Sequence, residues 1–367
     1  MLIRWSGKAF RLAVMAALFM AVLEVCARWD DVLTWQAPFW GEYSQEQLTF
    51  TDALGPRCRP GGQFEKWRLN SFGFRGPEVA PAKAPGVTRV LLVGASETFG
   101  LYESPGHEYP AELQRVLDER RPGRFEVVNA ACAGMSPPRI DRLLEPLLGQ
   151  FRPDIVLFYP SPQFYLDDEP PRAGHNVPPR RERAFTPRLL RRIKTWVKSS
   201  LPDQVQTLMR EVSIDWRISR RGPDWVWTKA PEDRVELFRQ HLGALIGRVR
   251  ALGARPVLAT HANRFGATLT ERDRQQVVAL RSFYPRAPSS VVVPFERAMN
   301  RAVLETAREN GVVALDLEQR VGKDPAFYAD FSHFTDQGAH AMAEALSDEL
   351  LRLDESATTS TPRAPDP

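Results

Sequence analysis

The stretch that most constrains this chain is Thr88–Gly100, Thr-Arg-Val-Leu-Leu-Val-Gly-Ala-Ser-Glu-Thr-Phe-Gly. Val90, Leu91, Leu92 and Val93 form an unbroken apolar run of strand length, as expected where a parallel sheet is covered on both faces. The run stops at Gly94, and Ser96 follows two residues later. Open α/β sheets place their reactive groups just past the carboxyl ends of such strands. Glu97, Thr98 and Gly100 let the backbone turn at once toward a helix. Gly-x-Ser-x-Thr alone fits a structural loop serine as well as a nucleophile, and a base and an acid are needed to separate the two.

Candidates for both stand near the other end. Asp330-Phe-Ser-His333 runs into a helical pattern over Thr335–Leu353, with Thr335 or Ser332 as its cap. Three residues apart, Asp330 can hold one imidazole nitrogen of His333 and leave the other facing a serine. In such a set Ser96 attacks, His333 takes and returns the proton, and Asp330 fixes tautomer and orientation.

The chain between these blocks alternates strand and helix. Predicted helices cover 108–121, 140–148 (bent at Pro146), 234–251, 295–310 and 335–353. Predicted strands cover 125–131, 154–159, 256–259 and 312–316. The domain therefore spans 87–353, interrupted by an insertion over 165–232. Arg180, Arg181, Arg183, Arg188, Arg191, Arg192, Lys194 and Lys198 crowd the first half of the insertion. They read first as a solvated helical face. The functional alternatives are a basic lid, or a contact with anionic lipid or polysaccharide. Trp216, Trp225 and Trp227 in its second half read as packing residues, with a sugar-stacking platform as the alternative. Residues 28–86, rich in Trp, Pro and Gly, read as an irregular leader, and 354–367 as a polar, disordered tail.

Residues 1–27 stand apart. Arg4, Lys8 and Arg11 precede the apolar run Leu12–Leu23, which gives either a signal peptide cleaved after Ala27 or an uncleaved anchor. The positive flank keeps the amino end cytoplasmic, so the body is exported. A net charge of +4 over 367 residues is too dilute to argue for nucleic acid. Of the three cysteines, Cys26 lies in the apolar helix, and Cys58 and Cys132 can pair or stay free. No cluster has metal-site spacing, and the residue types need no cofactor.

The two terminal blocks, Gly94-Ala-Ser96-Glu-Thr98 and Asp330-Phe-Ser-His333, resemble those of the SGNH (GDSL-type) hydrolase superfamily. Leu69-Asn-Ser-Phe-Gly73-Phe-Arg75-Gly-Pro-Glu is similar to a lead-in of its membrane-anchored bacterial members. The resemblance spans roughly residues 66–353. It implies a flavodoxin-like, three-layer α/β/α fold around a five-stranded, mainly parallel sheet. It also implies a serine esterase or acylhydrolase acting on an O-acyl, in particular O-acetyl, ester of a cell-envelope carbohydrate, from a single N-terminal pass in the bacterial inner membrane. A polysaccharide O-acetyltransferase and a non-catalytic glycan- or partner-binding module are the alternatives. The oxyanion donors implied are the Ser96 and Gly134 N–H groups and the Gln163 amide. Gln163 occupies the place of the family's asparagine, with Ser161 replacing a glycine. His261 and Asn263, leaving the same sheet edge as Ser96, are candidates for substrate contact.

Overall fold

The structure, a computed structural model, describes residues 7–169, 171, 186–266 and 268–360. Arg4, Arg180, Arg181 and Arg183 and the last part of the expected tail, 361–367, lie outside the described residues. The chain opens with helix α1 (Gly7–Trp35). Two small antiparallel hairpins follow, β1 (Thr49–Asp52) with β2 (Gly55–Cys58) and β3 (Gln63–Phe64) with β4 (Trp67–Arg68). The leader is thus more regular than its composition suggested. It is fastened to the domain by a Cys58–Cys132 disulfide with Cα atoms 5.6 Å apart.

The domain proper begins at β5 (Thr88–Gly94) and short helix α2 (Ser96–Phe99). In chain order come α3 (Tyr109–Arg120), β6 (Phe125–Asn129), α4 (Pro137–Phe151), β7 (Ile155–Tyr159), α5 (Arg188–Ser200) and α6 (Asp203–Ser219). They are followed by α7 (Glu232–Ala251), β8 (Arg255–Ala259), α8 (Glu271–Arg281), α9 (Ser289–Glu309), β9 (Val313–Leu315), α10 (Leu317–Val321) and α11 (Asp336–Ser360). The five main strands stand in the order β6-β5-β7-β8-β9 and every neighbouring pair is parallel. This is the flavodoxin-like order, and the expected three-layer fold is borne out.

Period-two alternation along β5 assigns its side chains to the two layers. Val90 and Leu92 pack with Leu113 of α3 and Leu346 of α11 on one face. Leu91 and Val93 pack with Leu144 of α4, Leu242 of α7 and Phe295 of α9 on the other. Because β5 lies between β6 and β7, the chain leaves its carboxyl end at the point where strand order reverses. That is the crevice in which an open α/β sheet binds its ligands.

Two elements differ from the sequence reading. Helix α8 falls in a stretch to which the sequence reading assigned no element. Its signal was a capping box, with the Thr270 hydroxyl accepting from the Asp273 N–H at 3.2 Å and Asp273 accepting from the Thr270 N–H at 2.9 Å. Helix α11 runs past Leu353 to Ser360, into the expected tail. Asp354 there is buried and accepts from Thr88 at 2.6 Å and Arg124 at 2.7 Å, which ties the helix back to the sheet edge.

Candidate active site

Gly94 ends β5 where a side chain cannot be accommodated. A Cβ there would collide with Thr98 and with the Tyr159 carbonyl. The backbone then enters α2 with Ser96 as its first residue, so the Ser96 N–H has no acceptor within the helix. The turn is held from outside as well. Asn129 donates to the Thr98 carbonyl at 3.0 Å, Tyr109 to the Thr98 hydroxyl at 2.9 Å, and Arg75 to the Phe99 carbonyl at 2.9 Å. Arg75 belongs to the lead-in motif, whose Asn70 side chain accepts from the Phe72 and Phe74 N–H groups. The lead-in therefore buttresses the serine turn, a role that its sequence did not reveal.

Across the sheet edge, Thr335 caps α11 by accepting from the Gly338 N–H at 3.2 Å. The loop before it carries Asp330 and His333. His333 Nδ1 lies 2.8 Å from Asp330 Oδ2, and Nε2 lies 2.8 Å from Ser96 Oγ. Asp330 Oδ1 also accepts from the Ser332 and His333 N–H groups, at 3.0 and 2.9 Å, so the acid is fixed by its own loop. All three side chains are partly exposed and can be reached from solvent. The Tyr102 ring stands edge-on to His333 at 5.2 Å. A cleft of about 900 Å³ opens beside Asp330 and Phe331, walled by Tyr102, Lys198, Arg210 and Phe283.

Beneath the serine lies a buried polar cluster that sequence reasoning missed. Glu97 accepts from Ser161 at 2.6 Å and from Ser332 at 3.3 Å, and its Oε2 lies 3.3 Å from Ser96 Oγ. His261 Nδ1 lies 2.9 Å from Glu296, and its Nε2 lies 3.5 Å from Glu97. Burial alone would raise the Glu97 carboxyl, but its hydrogen bond to His261, the His333 and His261 charges and the Ser161 hydroxyl hold it at about 2. Burial alone would lower His261, but the Glu296 carboxylate and then Glu97 raise it to about 9. Burial would likewise lower His333, yet the bond to Asp330 and the Glu97 charge leave it raised above the ordinary value. Glu103, buried nearby, is pushed up to about 7 by desolvation.

This cluster corrects three expectations. The Gln163 amide is 5% exposed and donates to Glu296 at 3.1 Å, so it is not an open oxyanion donor. His261 is fully buried between carboxylates and does not line a pocket. Asn263, also buried, folds its side chain onto its own loop and accepts from the Phe265 N–H at 3.1 Å. Ser161 is spent on Glu97. Gly134, by contrast, is exposed at the carboxyl edge with φ +83°, a conformation that suits glycine.

No family model and no curated protein matches the chain. Among solved structures it is similar to a lipase/acylhydrolase from Enterococcus faecalis (TM-score 0.43, 14% identity, covering 72% of this chain and 95% of that one). It is also similar to the psychrotrophic esterase EstA from Pseudoalteromonas sp. (TM-score 0.41, 12% identity, 72% and 98%). A third is a lipolytic protein of the G-D-S-L family from Veillonella parvula (TM-score 0.41, 10% identity, 72% and 100%).

Proposed function

We propose that this chain is a membrane-anchored serine hydrolase of the SGNH type, an esterase that works through a covalent acyl-serine. The observation that carries the reading is the chain of two 2.8 Å contacts from Asp330 through His333 to Ser96, at the carboxyl edge of the sheet. With Nδ1–H donating to Asp330, Nε2 accepts the Ser96 proton as Oγ attacks the ester carbonyl carbon. The Ser96 and Gly134 N–H groups receive the developing oxyanion. His333 then protonates the departing alkoxide, which leaves as an alcohol. Water attacks the acyl-serine, gives its proton to His333, and releases the carboxylic acid and free Ser96.

The substrate class inferred is an O-acyl, in particular O-acetyl, ester on a cell-envelope carbohydrate outside the inner membrane. Two features support that location. The 18-residue apolar window in α1 is wholly unburied and long enough to cross a bilayer. The Cys58–Cys132 disulfide suits an oxidising compartment. An uncleaved anchor is favoured because α1 continues through Ala27 to Trp35, with Arg28 and Asp31 buried against the domain. Cleavage after Ala27 would cut this helix.

The test uses the purified chain with a chromogenic acetyl ester, with and without an acetyl-accepting polysaccharide. Hydrolysis that needs no acceptor is expected. Turnover only with the acceptor would make the protein a transferase instead. No turnover, with Ser96 unlabelled by a fluorophosphonate, would leave only a binding module. Mass spectrometry of the mature amino terminus checks the anchor, and a terminus at Arg28 would refute it.

A further inference from the structure

Helices α5 and α6 carry an apolar face that nothing among the described residues covers. On α6, Val205, Leu208, Met209, Val212 and Trp216 recur at i, i+3, i+4, i+7 and i+11, a single stripe of an α-helix. Every one is exposed, from 39% for Val205 to 61% for Val212. Leu190, Ile193, Trp196 and Val197 extend the patch along α5. Exposed apolar helix faces of this kind mark interaction surfaces.

Three observations identify what covers it. The first is continuity with α1. Glu24 of α1 accepts from the Arg188 and Leu189 N–H groups at 3.0 and 2.8 Å, and Asp31 pairs with Arg191 and Arg192 at 3.2 and 2.5 Å. Helix α5 is therefore docked where the apolar part of α1 ends. The second is charge, with nine Lys/Arg against three Asp/Glu between Thr186 and Gly222. Arg188, Arg191 and Arg192 are drawn to α1, which corrects their reading as a solvated face, while Lys194, Lys198, Arg220 and Arg221 remain exposed. Cations flanking an apolar helical stripe suit anionic headgroups. The third is the set of exposed indoles on and near these helices and α1, Trp29, Trp40, Trp196 and Trp216, a residue type that membrane interfaces collect.

We propose that helices α5 and α6 lie in the headgroup–acyl boundary of an anionic bilayer, as a second membrane contact beside α1. This rests on the reading of α1 as an anchor. The far face of α6 explains what the contact does. Asp203, Gln206, Thr207 and Arg210 recur at i, i+3, i+4 and i+7 on that face and line the cleft beside Asp330. One helix thus separates lipid from the cleft beside Asp330, and the proposed active site next to it faces esters held at the membrane surface.

The test places a nitroxide at Leu208→Cys or Val212→Cys in the full chain carrying Cys26→Ser, which leaves the Cys58–Cys132 disulfide as the other sulfur pair. Labels at Leu18→Cys in α1 and Glu119→Cys on α3 serve as lipid and water references. In proteoliposomes containing phosphatidylglycerol, the α6 labels are expected to gain oxygen collisions and lose those with an aqueous nickel chelate, as at Leu18. Nickel relaxation like that at Glu119 overturns the proposal. A lipid-facing Leu18 beside water-facing α6 labels would sink the second contact and leave the anchor standing. Dipolar broadening between copies, with shielding from both reagents, would assign the face to a second copy and also overturn it. Esterase activity of the unlabelled chain on a soluble acetate is read separately, so failure of the enzymatic reading is distinguishable.

Discussion

Glu97 Oε1 and His261 Nε2 face each other at 3.5 Å, and neither side chain reaches solvent. With Glu296 at 2.9 Å on the other ring nitrogen, a buried imidazolium holds two carboxylates together beneath Ser96. Glu97 is the shared member, since it also contacts Ser96 and raises the basicity of His333. The proposed catalytic set, Ser96, His333 and Asp330, is therefore electrostatically coupled to the core of the fold.

The first expectation concerns His333. Its raised pKa means that the free base is lost as pH falls through a value above the ordinary histidine range of about 6.5. The acidic limb of kcat/KM should lie above that value, and Asp330→Asn should move it to lower pH while reducing the rate. Ser96→Ala and His333→Ala should each abolish turnover, and the double variant should be little worse. Glu103 titrates nearby at about 7, so the profile is best measured also in Glu103→Gln. An acidic limb unmoved by Asp330→Asn would contradict the assigned orientation of the imidazole.

The second concerns stability of the buried cluster. A folded pKa of about 9 for His261 gives stabilisation that is full below the unfolded value of about 6.5 and lost as pH rises through 9. Glu97, held at about 2, contributes above its unfolded value of 4.5 and loses that contribution as pH falls toward 2. Thermal melts should therefore show Tm falling between about pH 7 and 10, and His261→Gln should flatten this slope. Removing one carboxylate, as in Glu296→Gln, should cost about 3–5 kcal/mol, the usual penalty for breaking a buried ion pair. A Tm unaffected by Glu296→Gln would refute the cluster.

How far the sequence could be read follows from the range of each interaction. β5 was legible because burial on both faces leaves an unbroken apolar run, and His333 with Asp330 because three residues bring them together. The pair Glu97 and Glu296 was not, because each looks like a surface charge within its own segment. Glu296 sits between Phe295 and Met299 on the buried face of α9, yet its partner His261 comes from the distant loop after β8. The contact of Asp31 with Arg188 was hidden for the same reason, since their charges read as solvated until α1 and α5 meet.

The disulfide gives a third expectation. Cys58 and Cys132 are separated by 74 residues, and the bond joins the leader to the loop that presents Gly134. Closing a loop of this length should stabilise the protein by about 4 kcal/mol through the unfolded state. Cys58→Ser with Cys132→Ser should lower the urea midpoint accordingly. If the bond also steadies the oxyanion loop, kcat should fall at temperatures where the double variant remains folded. Unchanged unfolding curves in reductant would show that the bond contributes nothing.

Gln163 gives the last, because family likeness and geometry lead to opposite expectations. An oxyanion donor acts on charge that develops only in the transition state, so its loss lowers kcat by roughly 10²–10³-fold with little change in KM. The structure instead commits the amide to Glu296 in a buried site. Gln163→Ala then removes a hydrogen bond from an interior carboxylate, costing about 1–3 kcal/mol of stability. The catalytic effect should be small at temperatures where the variant is folded. Gln163→Asn tests reach, because the shorter amide withdraws from Glu296. It should destabilise the fold like alanine while holding or raising kcat. A hundredfold fall in kcat for Gln163→Ala at unchanged Tm would restore the oxyanion role and require the amide to leave Glu296 when substrate binds.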